Sequence, residues 1–126
     1  MPKQTFATHP VVPLSAVVRA GDYIFLSGQV PFAPDGTLVA GDIEVQTRQV
    51  LDNIAGALGR VGATLDDVVK TTIWLTDPAD FPRFNTIYGK YFPQDPPARS
   101  CVASQLMVEA KIEVEAIAYK PLGGAT

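Results

Sequence analysis

The segment KIEVEAIAY, from Lys111 to Tyr119, decides the fold of this 126-residue chain because its two sides differ in character. In a β-strand, residues two apart point to the same side. One side is made of small or branched apolar residues that suit a surface beneath helices: Ile112, Val114, Ala116 and Ala118. The other side runs from charged to apolar: Lys111, Glu113, Glu115, Ile117 and Tyr119. The segment therefore predicts a strand of a sheet that is covered by helices on one face.

Other segments predict the remaining strands. DDVVKTTIWLTD, from Asp66 to Asp77, is strongly β-prone and is predicted to be a long central strand. Because side chains alternate along a strand, one side of it would carry Val69, Thr71, Ile73 and Leu75. The opposite side would carry Val68, Lys70, Thr72 and Trp74. AVVRAGDYIFLSGQV, residues 16–30, predicts a hairpin with its bend at Gly21, and the residues before it are interpreted as a proline-marked leader. A short strand is expected after Arg99.

Two amphipathic helices are predicted between these strands. From Ile43 to Val61 apolar residues recur at helical spacing, and Gly62 stands where a left-handed residue would end the helix. The second helix is expected to be capped by Asp80. Its apolar stripe is interpreted as core packing: Phe81, Phe84, Ile87, Tyr88, Tyr91 and Phe92. The order of these segments predicts one α+β domain, residues 1–126, with a single sheet and both helices on one face.

Composition argues against several classes of protein. Charged residues make up only 18% of the chain and the net charge is −3, which argues against nucleic acid as the main partner. No segment approaches the ~20 apolar residues of a membrane span and no signal-peptide run is visible, so we expect a cytoplasmic protein without membrane partners. One cysteine and one histidine predict neither a disulfide nor a zinc site. The 47% apolar content indicates that a partner subunit covers part of the surface.

Two charged residues are candidates for chemistry. In PPARSCV, two prolines stiffen the approach to Arg99, whose guanidinium can hold a carboxylate through two parallel hydrogen bonds. Glu115 lies at the point where this side of the strand changes from charged to apolar residues. A carboxylate in that position would be desolvated, and desolvation makes it a better proton acceptor once it is ionised. Ordinary surface roles remain open for both, with Glu115 sharing a solvated face with Glu113. Cys101 is interpreted as a packing group, because no histidine stands near it in the sequence.

Six segments together resemble the RidA family, also called YjgF, of reactive-intermediate deaminases. They are SGQVP (27–31), QTRQVLDNI (46–54), VVKTTIWLTD (68–77), FNTIYGKYFP (84–93), PPARSCV (96–102) and KIEVEAIA (111–118). The resemblance runs from Ser15 to Tyr119. The PARSCV and IEVEAIA segments are its most specific parts, and the two together decide it.

The resemblance implies a chorismate-mutase-like α+β fold, in which a mixed sheet carries two helices on one face and three chains form a homotrimer with clefts between subunits. It implies hydrolysis of 2-imino acids such as 2-iminopropanoate and 2-iminobutanoate, and of enamines such as 2-aminoacrylate, to 2-keto acids and ammonia without any cofactor or metal. Arg99 matches the catalytic arginine and would bind the carboxylate. Glu115 would position and deprotonate the attacking water. Further substrate contacts are implied at Gly28, Ser27, Cys101, Asn85 and Tyr88.

One position departs from the family, and other functions stay open. Leu14 stands where many members have a tyrosine that reaches across the subunit interface. The loss of the hydroxyl predicts a preference for apolar side chains, or a subgroup that acts on a different imine. A protein of this fold could also bind or sense 2-keto acids without turnover. RNA cleavage or translation inhibition, as in some relatives, is disfavoured by the negative net charge of the chain.

Overall fold

Six strands and two α-helices form the protein in a computed structural model that describes residues 2–123. In chain order the elements are β1 (Gln4–Thr8), β2 (Ser15–Ala20), β3 (Tyr23–Gln29), α1 (Ile43–Gly59), β4 (Val68–Leu75), α2 (Phe81–Tyr91), β5 (Ala98–Ala103) and β6 (Ile112–Tyr119). Two short 3₁₀ helices, Leu65–Asp67 and Pro78–Asp80, precede β4 and α2. Neither α-helix within the described range is long and apolar enough to cross a membrane.

All six strands belong to one sheet in the order β1-β2-β3-β6-β4-β5. The β4–β5 pair is parallel, while the other neighbouring strands are antiparallel. The mixed sheet that the resemblance implied is therefore confirmed. The last strand, β6, lies between β3 and β4, so it joins the amino-terminal hairpin to the parallel pair.

The two sides of β6 have the environments that its sequence predicts. Ile112, Val114, Ala116 and Ala118 are each at most 1% exposed and lie in one core with the helices. Each large side chain buried in this way contributes roughly 1.5–3 kcal/mol to folding. We call this covered side of the sheet the helix face. The opposite side is the open face, which β6 lines with Glu113, Glu115, Ile117 and Tyr119.

Helix α1 begins and ends as its sequence predicts, within two residues. Asp42 is its N-cap, and the carboxylate accepts a hydrogen bond from the Val45 amide at 3.0 Å. Beyond its last turn, Gly62 has φ +76°, a left-handed conformation that a side chain would strain. Arg83 of α2 donates hydrogen bonds to Asp42 at 2.6 Å and Glu44 at 3.1 Å. These ion pairs join α2 to the start of α1.

The interpretation of the first residues as a leader is wrong, because they contain β1. This strand pairs antiparallel with β2, with Gln4 opposite Arg19 and Thr8 opposite Ser15. Four of its five residues are exposed, since it lies at the edge of the sheet. Phe6 alone in this strand is half-buried against the core, so β1 has no alternating apolar pattern from which to predict it.

Two predictions near β4 and α2 are also wrong. Val68 is buried and Val69 is 44% exposed, the reverse of the expected sides, because the pairing with β6 shifts register between Val68 and Lys70. Asp80 occupies the N-cap position of α2, but its side chain makes no capping hydrogen bond. The chain enters α2 through a 3₁₀ turn that is capped instead by Asp77, which accepts from the Ala79 amide at 2.9 Å.

Candidate functional site

Arg99 lies on the helix face, beside α2, at the edge of the sheet. In the parallel ladder it stands opposite Thr71, which is 1% exposed and belongs to the core side of β4. The carbon centre of its guanidinium is 5.5 Å from the ring of Phe81, 5.6 Å from Phe84 and 5.0 Å from Tyr88. At exposed sites each such cation–π contact stabilises by about 0.5–1 kcal/mol. The cation therefore lies on a platform of three aromatic rings.

Hydrogen bonds orient this platform and the guanidinium above it. Arg99 Nη2 donates to Asn85 Oδ1 at 2.8 Å. The Tyr88 and Thr71 hydroxyls, 2.7 Å apart, share a buried hydrogen bond. Within residues 2–123 the guanidinium forms no ion pair, whereas Arg83 has two carboxylate partners. The remaining N–H groups of Arg99 are consequently free to bind an anion.

Cys101 follows on the same face, two residues along β5. It is half-buried and packs against the hydrophobic core. Burial raises the pKa of its thiol, and this outweighs the lowering by the Arg99 charge. A neutral thiol is a poor nucleophile, which supports its interpretation as a packing group.

A cleft of about 200 Å³ opens next to these residues, and Phe81 and Cys101 form part of its wall. The other lining residues are Leu75, Pro78, Val102 and Ala103. The cleft was not predicted from the sequence. It forms where the ends of β4 and β5 meet the 3₁₀ turn before α2, and these segments lie far apart in the chain.

Glu115 lies on the open face, so one chain does not bring it together with Arg99 on one side of the sheet. Glu115 pairs with Thr72, whereas Arg99 pairs with the preceding residue, Thr71. Successive residues of a strand point to opposite sides, and this one-residue difference separates the two candidates across the sheet. Ser100, Thr72 and Glu115 form a polar row on the open face.

Gly28 and Ser27 lie at a β-bulge next to this row. Leu26 pairs with Ala116 and Gln29 with Val114, so both residues of β3 between those pairs stand opposite Glu115. The Ser27 hydroxyl donates to the Ser15 carbonyl at 2.6 Å. The bulge therefore brings the backbone of β3 next to Glu115 while the serine side chain is engaged elsewhere.

Glu113 covers Gly28, a contact that the sequence analysis missed. A Cβ atom at Gly28 would collide with Glu113 Oε2 and would lie 2.9 Å from Cδ. Burial, followed by the nearby charge of Glu115, raises the pKa of the Glu113 carboxyl. The sequence shows the two glutamates at alternate positions of β6 and the glycine in β3. It does not show that they stand opposite each other, because that pairing depends on the bulge.

Leu14 lies immediately before β2, in a loop that His9 organises. The His9 Nδ1 atom accepts hydrogen bonds from the Val11 and Val12 amides at 3.1 and 2.9 Å, and the His9 amide donates to the Leu14 carbonyl at 2.8 Å. The Leu14 side chain is 42% exposed. Four strand spacings, about 19 Å, separate β2 from β5, so Leu14 and Arg99 of one chain do not share a site.

Among residues 2–123, no group of three His, Cys, Asp or Glu side chains could hold a metal ion.

A protein-family model described as Endoribonuclease L-PSP matches residues 5–120. The chain belongs to this family. A RutC family protein, PH0854 of Pyrococcus horikoshii, is 46% identical over 116 residues, which cover 90% of this chain and 92% of the relative. The chloroplastic Reactive Intermediate Deaminase A of Arabidopsis thaliana is 46% identical over 108 residues, which cover 84% of this chain and 58% of the relative.

The similarity to known proteins extends to a solved three-dimensional structure. YyfA of Yersinia pestis, described as a member of the conserved Rid protein family, has a TM-score of 0.86 at 40% sequence identity. The match covers 94% of this chain and 99% of that one. The resemblance to the RidA family is thereby confirmed.

Proposed function

We propose that this protein is a hydrolytic deaminase of 2-imino acids and of the enamines that tautomerise to them. The single observation that carries the proposal is the Arg99 guanidinium, oriented on three aromatic rings and without a carboxylate partner among the described residues. A fixed guanidinium favours a small organic carboxylate, which it can bind through two parallel hydrogen bonds. The name of the Arabidopsis relative, a reactive-intermediate deaminase, supports the same reaction.

The chemistry requires orientation and one base. Arg99 binds the carboxylate of the substrate and leaves the neighbouring protonated imine carbon open to attack. Glu115 removes a proton from water as the water oxygen adds to that carbon. Protonated Glu115 returns this proton to the nitrogen of the tetrahedral product. The C–N bond then breaks as Glu115 accepts the hydroxyl proton, and ammonia and a 2-keto acid leave. Because a protonated imine is already electrophilic, positioning and one proton transfer supply much of the acceleration.

The placement of Arg99 and Glu115 on opposite faces supports a site shared between chains. We propose a homotrimer in which the substrate lies between Arg99 of one protomer and Glu115 of its neighbour. The open face has exposed apolar residues for such contacts: Tyr23, Phe25 and Tyr119 are 42–47% exposed. Leu14, too distant from Arg99 within a chain, is a candidate wall residue of the neighbour's cleft.

Ammonia release tests the reaction. The purified protein is added to an amino-acid oxidase or a serine/threonine dehydratase, and ammonia formation from the released imine is timed against buffer. We expect acceleration for several amino acids. If no amino acid gives acceleration but 2-oxobutanoate raises the thermal stability of the protein, the result would contradict the deaminase proposal. It would indicate a 2-keto acid binding protein instead.

Mixed trimers test the shared site. Arg99→Ala and Glu115→Gln chains, each inactive alone, are unfolded together and refolded. If each site takes one residue from each of two chains, about a quarter of the sites are complete and activity returns. Absence of recovery in a verified mixed trimer would place both residues in one chain's site.

RNA cleavage is a second candidate, favoured by the description of the matching family model. The chain has a single histidine and a net charge of −3, so one chain does not supply a histidine acid–base pair and has no overall positive charge to attract RNA. A short labelled RNA that stays intact with the protein at low salt would remove this candidate.

The cytoplasm is the compartment we propose. The one cysteine, Cys101, leaves the fold independent of disulfides, as in most proteins of reducing compartments. Cell fractionation with an antibody against the native chain would test it, and recovery in an organelle or secreted fraction would contradict it.

A further inference from the structure

The cleft at the end of β5 has no role in the chemistry derived so far. Its walls are Leu75, Pro78, Phe81, Cys101, Val102 and Ala103, none of which carries a charge. Its volume of about 200 Å³ is below the roughly 300–1,000 Å³ that holds a drug-sized ligand. It is therefore sized for part of a small molecule rather than for a large cofactor.

The cleft lies further along β5 than Arg99, on the same side of the strand. Arg99, Cys101 and Ala103 alternate along β5 and stand opposite Thr71, Ile73 and Leu75, which are all buried on the helix face. Each step of two residues advances about 6.6 Å along the strand. Phe81 connects the two regions, because its ring lies 5.5 Å from the guanidinium and also lines the cleft.

The cleft also favours one kind of occupant. Its walls are aliphatic and aromatic carbon together with the Cys101 thiol, whose pKa is raised by burial. Polar groups lose hydration in such surroundings without gaining a hydrogen bond, whereas apolar groups gain by leaving water. A ligand held by its carboxylate on Arg99 would accordingly place an apolar tail here.

We propose that this cleft is the side-chain pocket of the enzyme and selects 2-imino acids with branched or aromatic apolar side chains over those derived from alanine or serine. The inference rests on the proposed function, because it takes the Arg99 carboxylate site as the anchor. It assigns substrate preference to Phe81 and Ala103, two positions that the sequence analysis did not connect with specificity.

Substitution of Ala103 tests the proposal. Ala103 is exposed at the mouth of the cleft, so Ala103→Leu fills the cleft without disturbing the core. Imines of leucine and alanine are generated by an amino-acid oxidase, and kcat/KM is measured for each. We expect the wild-type ratio of leucine to alanine imine to exceed about tenfold, and Ala103→Leu to lower it by about tenfold.

Ala40→Leu is the matched control, because it adds the same side chain at an exposed loop position before α1. This variant should keep the wild-type ratio. A wild-type enzyme that prefers the alanine imine, or an Ala103→Leu ratio equal to that of the control, would overturn the proposal.

Ligand binding tests the proposed pocket independently of the proposed reaction. If the wild-type protein hydrolyses no imine, the proposed function falls, and the pocket is then judged by calorimetry with 4-methyl-2-oxopentanoate and pyruvate. Tighter binding of the branched acid, lost in Ala103→Leu and kept in Ala40→Leu, supports the pocket. Equal affinities for the two acids overturn it.

Discussion

The candidate cation of the site lies on the helix face of the sheet, whereas the candidate carboxylate lies on the open face, and their surroundings differ. On the helix face, the Arg99 guanidinium lies on three aromatic rings and is oriented by Asn85. On the open face, two carboxylates, Glu113 and Glu115, lie two residues apart beside a bulge. A strand whose side chains alternate keeps these charges on opposite sides, so they cannot neutralise each other within one chain. Charges separated in this way remain available to a ligand or to a second chain.

The strongest test of the helix face is Arg99→Lys. Lysine keeps the positive charge but loses the planar pair of donors, so two charge-assisted hydrogen bonds to the substrate carboxylate become one. We expect kcat/KM for imine hydrolysis to fall about 1,000-fold, measured as ammonia release.

Arg60→Lys serves as the control for Arg99→Lys, because Arg60 is an exposed arginine at the end of α1. It should keep the wild-type rate. Equal rates in Arg99→Lys and Arg60→Lys would contradict the role of the guanidinium.

Glu115→Gln tests the open face. The amide cannot accept a proton from water, so kcat should fall about 100-fold, the lower range for loss of a general base. Affinity for 2-oxobutanoate should change by less than about threefold, because that ligand is held by Arg99. Ammonia release and calorimetry measure the two effects. A large loss of affinity with kcat retained would reverse the roles of the two faces.

Tyr88→Phe tests how firmly the aromatic platform is built. The change leaves the Thr71 hydroxyl, in a residue that is 1% exposed, without its 2.7 Å partner. We expect the free energy of unfolding to fall by about 1–2 kcal/mol in a denaturant titration.

Tyr91→Phe, in the same helix, is the control for Tyr88→Phe. Its hydroxyl bonds to Asp52 at 2.8 Å in an exposed place where water can substitute, so the loss should be smaller. Thr71→Val combined with Tyr88→Phe should cost less than the sum of the single changes. Additive costs would mean that the hydrogen bond does not stabilise the fold.

Gly28→Ala is expected to have the smallest effect. The new methyl group would meet the end of the Glu113 side chain, which is half-buried and can turn away. Unfolding free energy should fall by less than about 1 kcal/mol, and the change should be neutral in a Glu113→Ala background. Denaturant titrations of the four proteins measure this. A loss above about 2 kcal/mol in both backgrounds would show that the backbone, rather than Glu113, requires glycine.

The sequence analysis predicted the elements of the fold well wherever one side of an element is buried. The alternation of β6 and the helical spacing of α1 record burial directly, because most of the buried positions in these two elements are apolar. Strand β1 was missed since it places only one half-buried residue, Phe6, against the core. The sides of Val68 and Val69 were exchanged because a register shift is a property of the pairing between strands and has no local sequence pattern.

The candidate site was predicted in part. The motif around Arg99 and the aromatic stripe of α2 were both identified, but their contact was not, since the stripe was interpreted only as core. Phe84 and Tyr88 have two roles. They belong to the core, with at most 5% of each residue exposed, and they also lie beneath the guanidinium. Tertiary structure decides such double roles, because one ring has two faces and the sequence does not say what each one meets.

The sequence by itself determined the helices, five of the six strands and the types of residue available for chemistry, because local periodicity and side-chain chemistry are properties of the chain. Tertiary structure alone decided that Arg99 and Glu115 lie on opposite sides of the sheet, that Glu113 covers Gly28, and that a cleft opens beside Phe81. These relations depend on which residues of distant strands stand opposite each other. A shift of one residue in that register would exchange the faces, and no local segment records it.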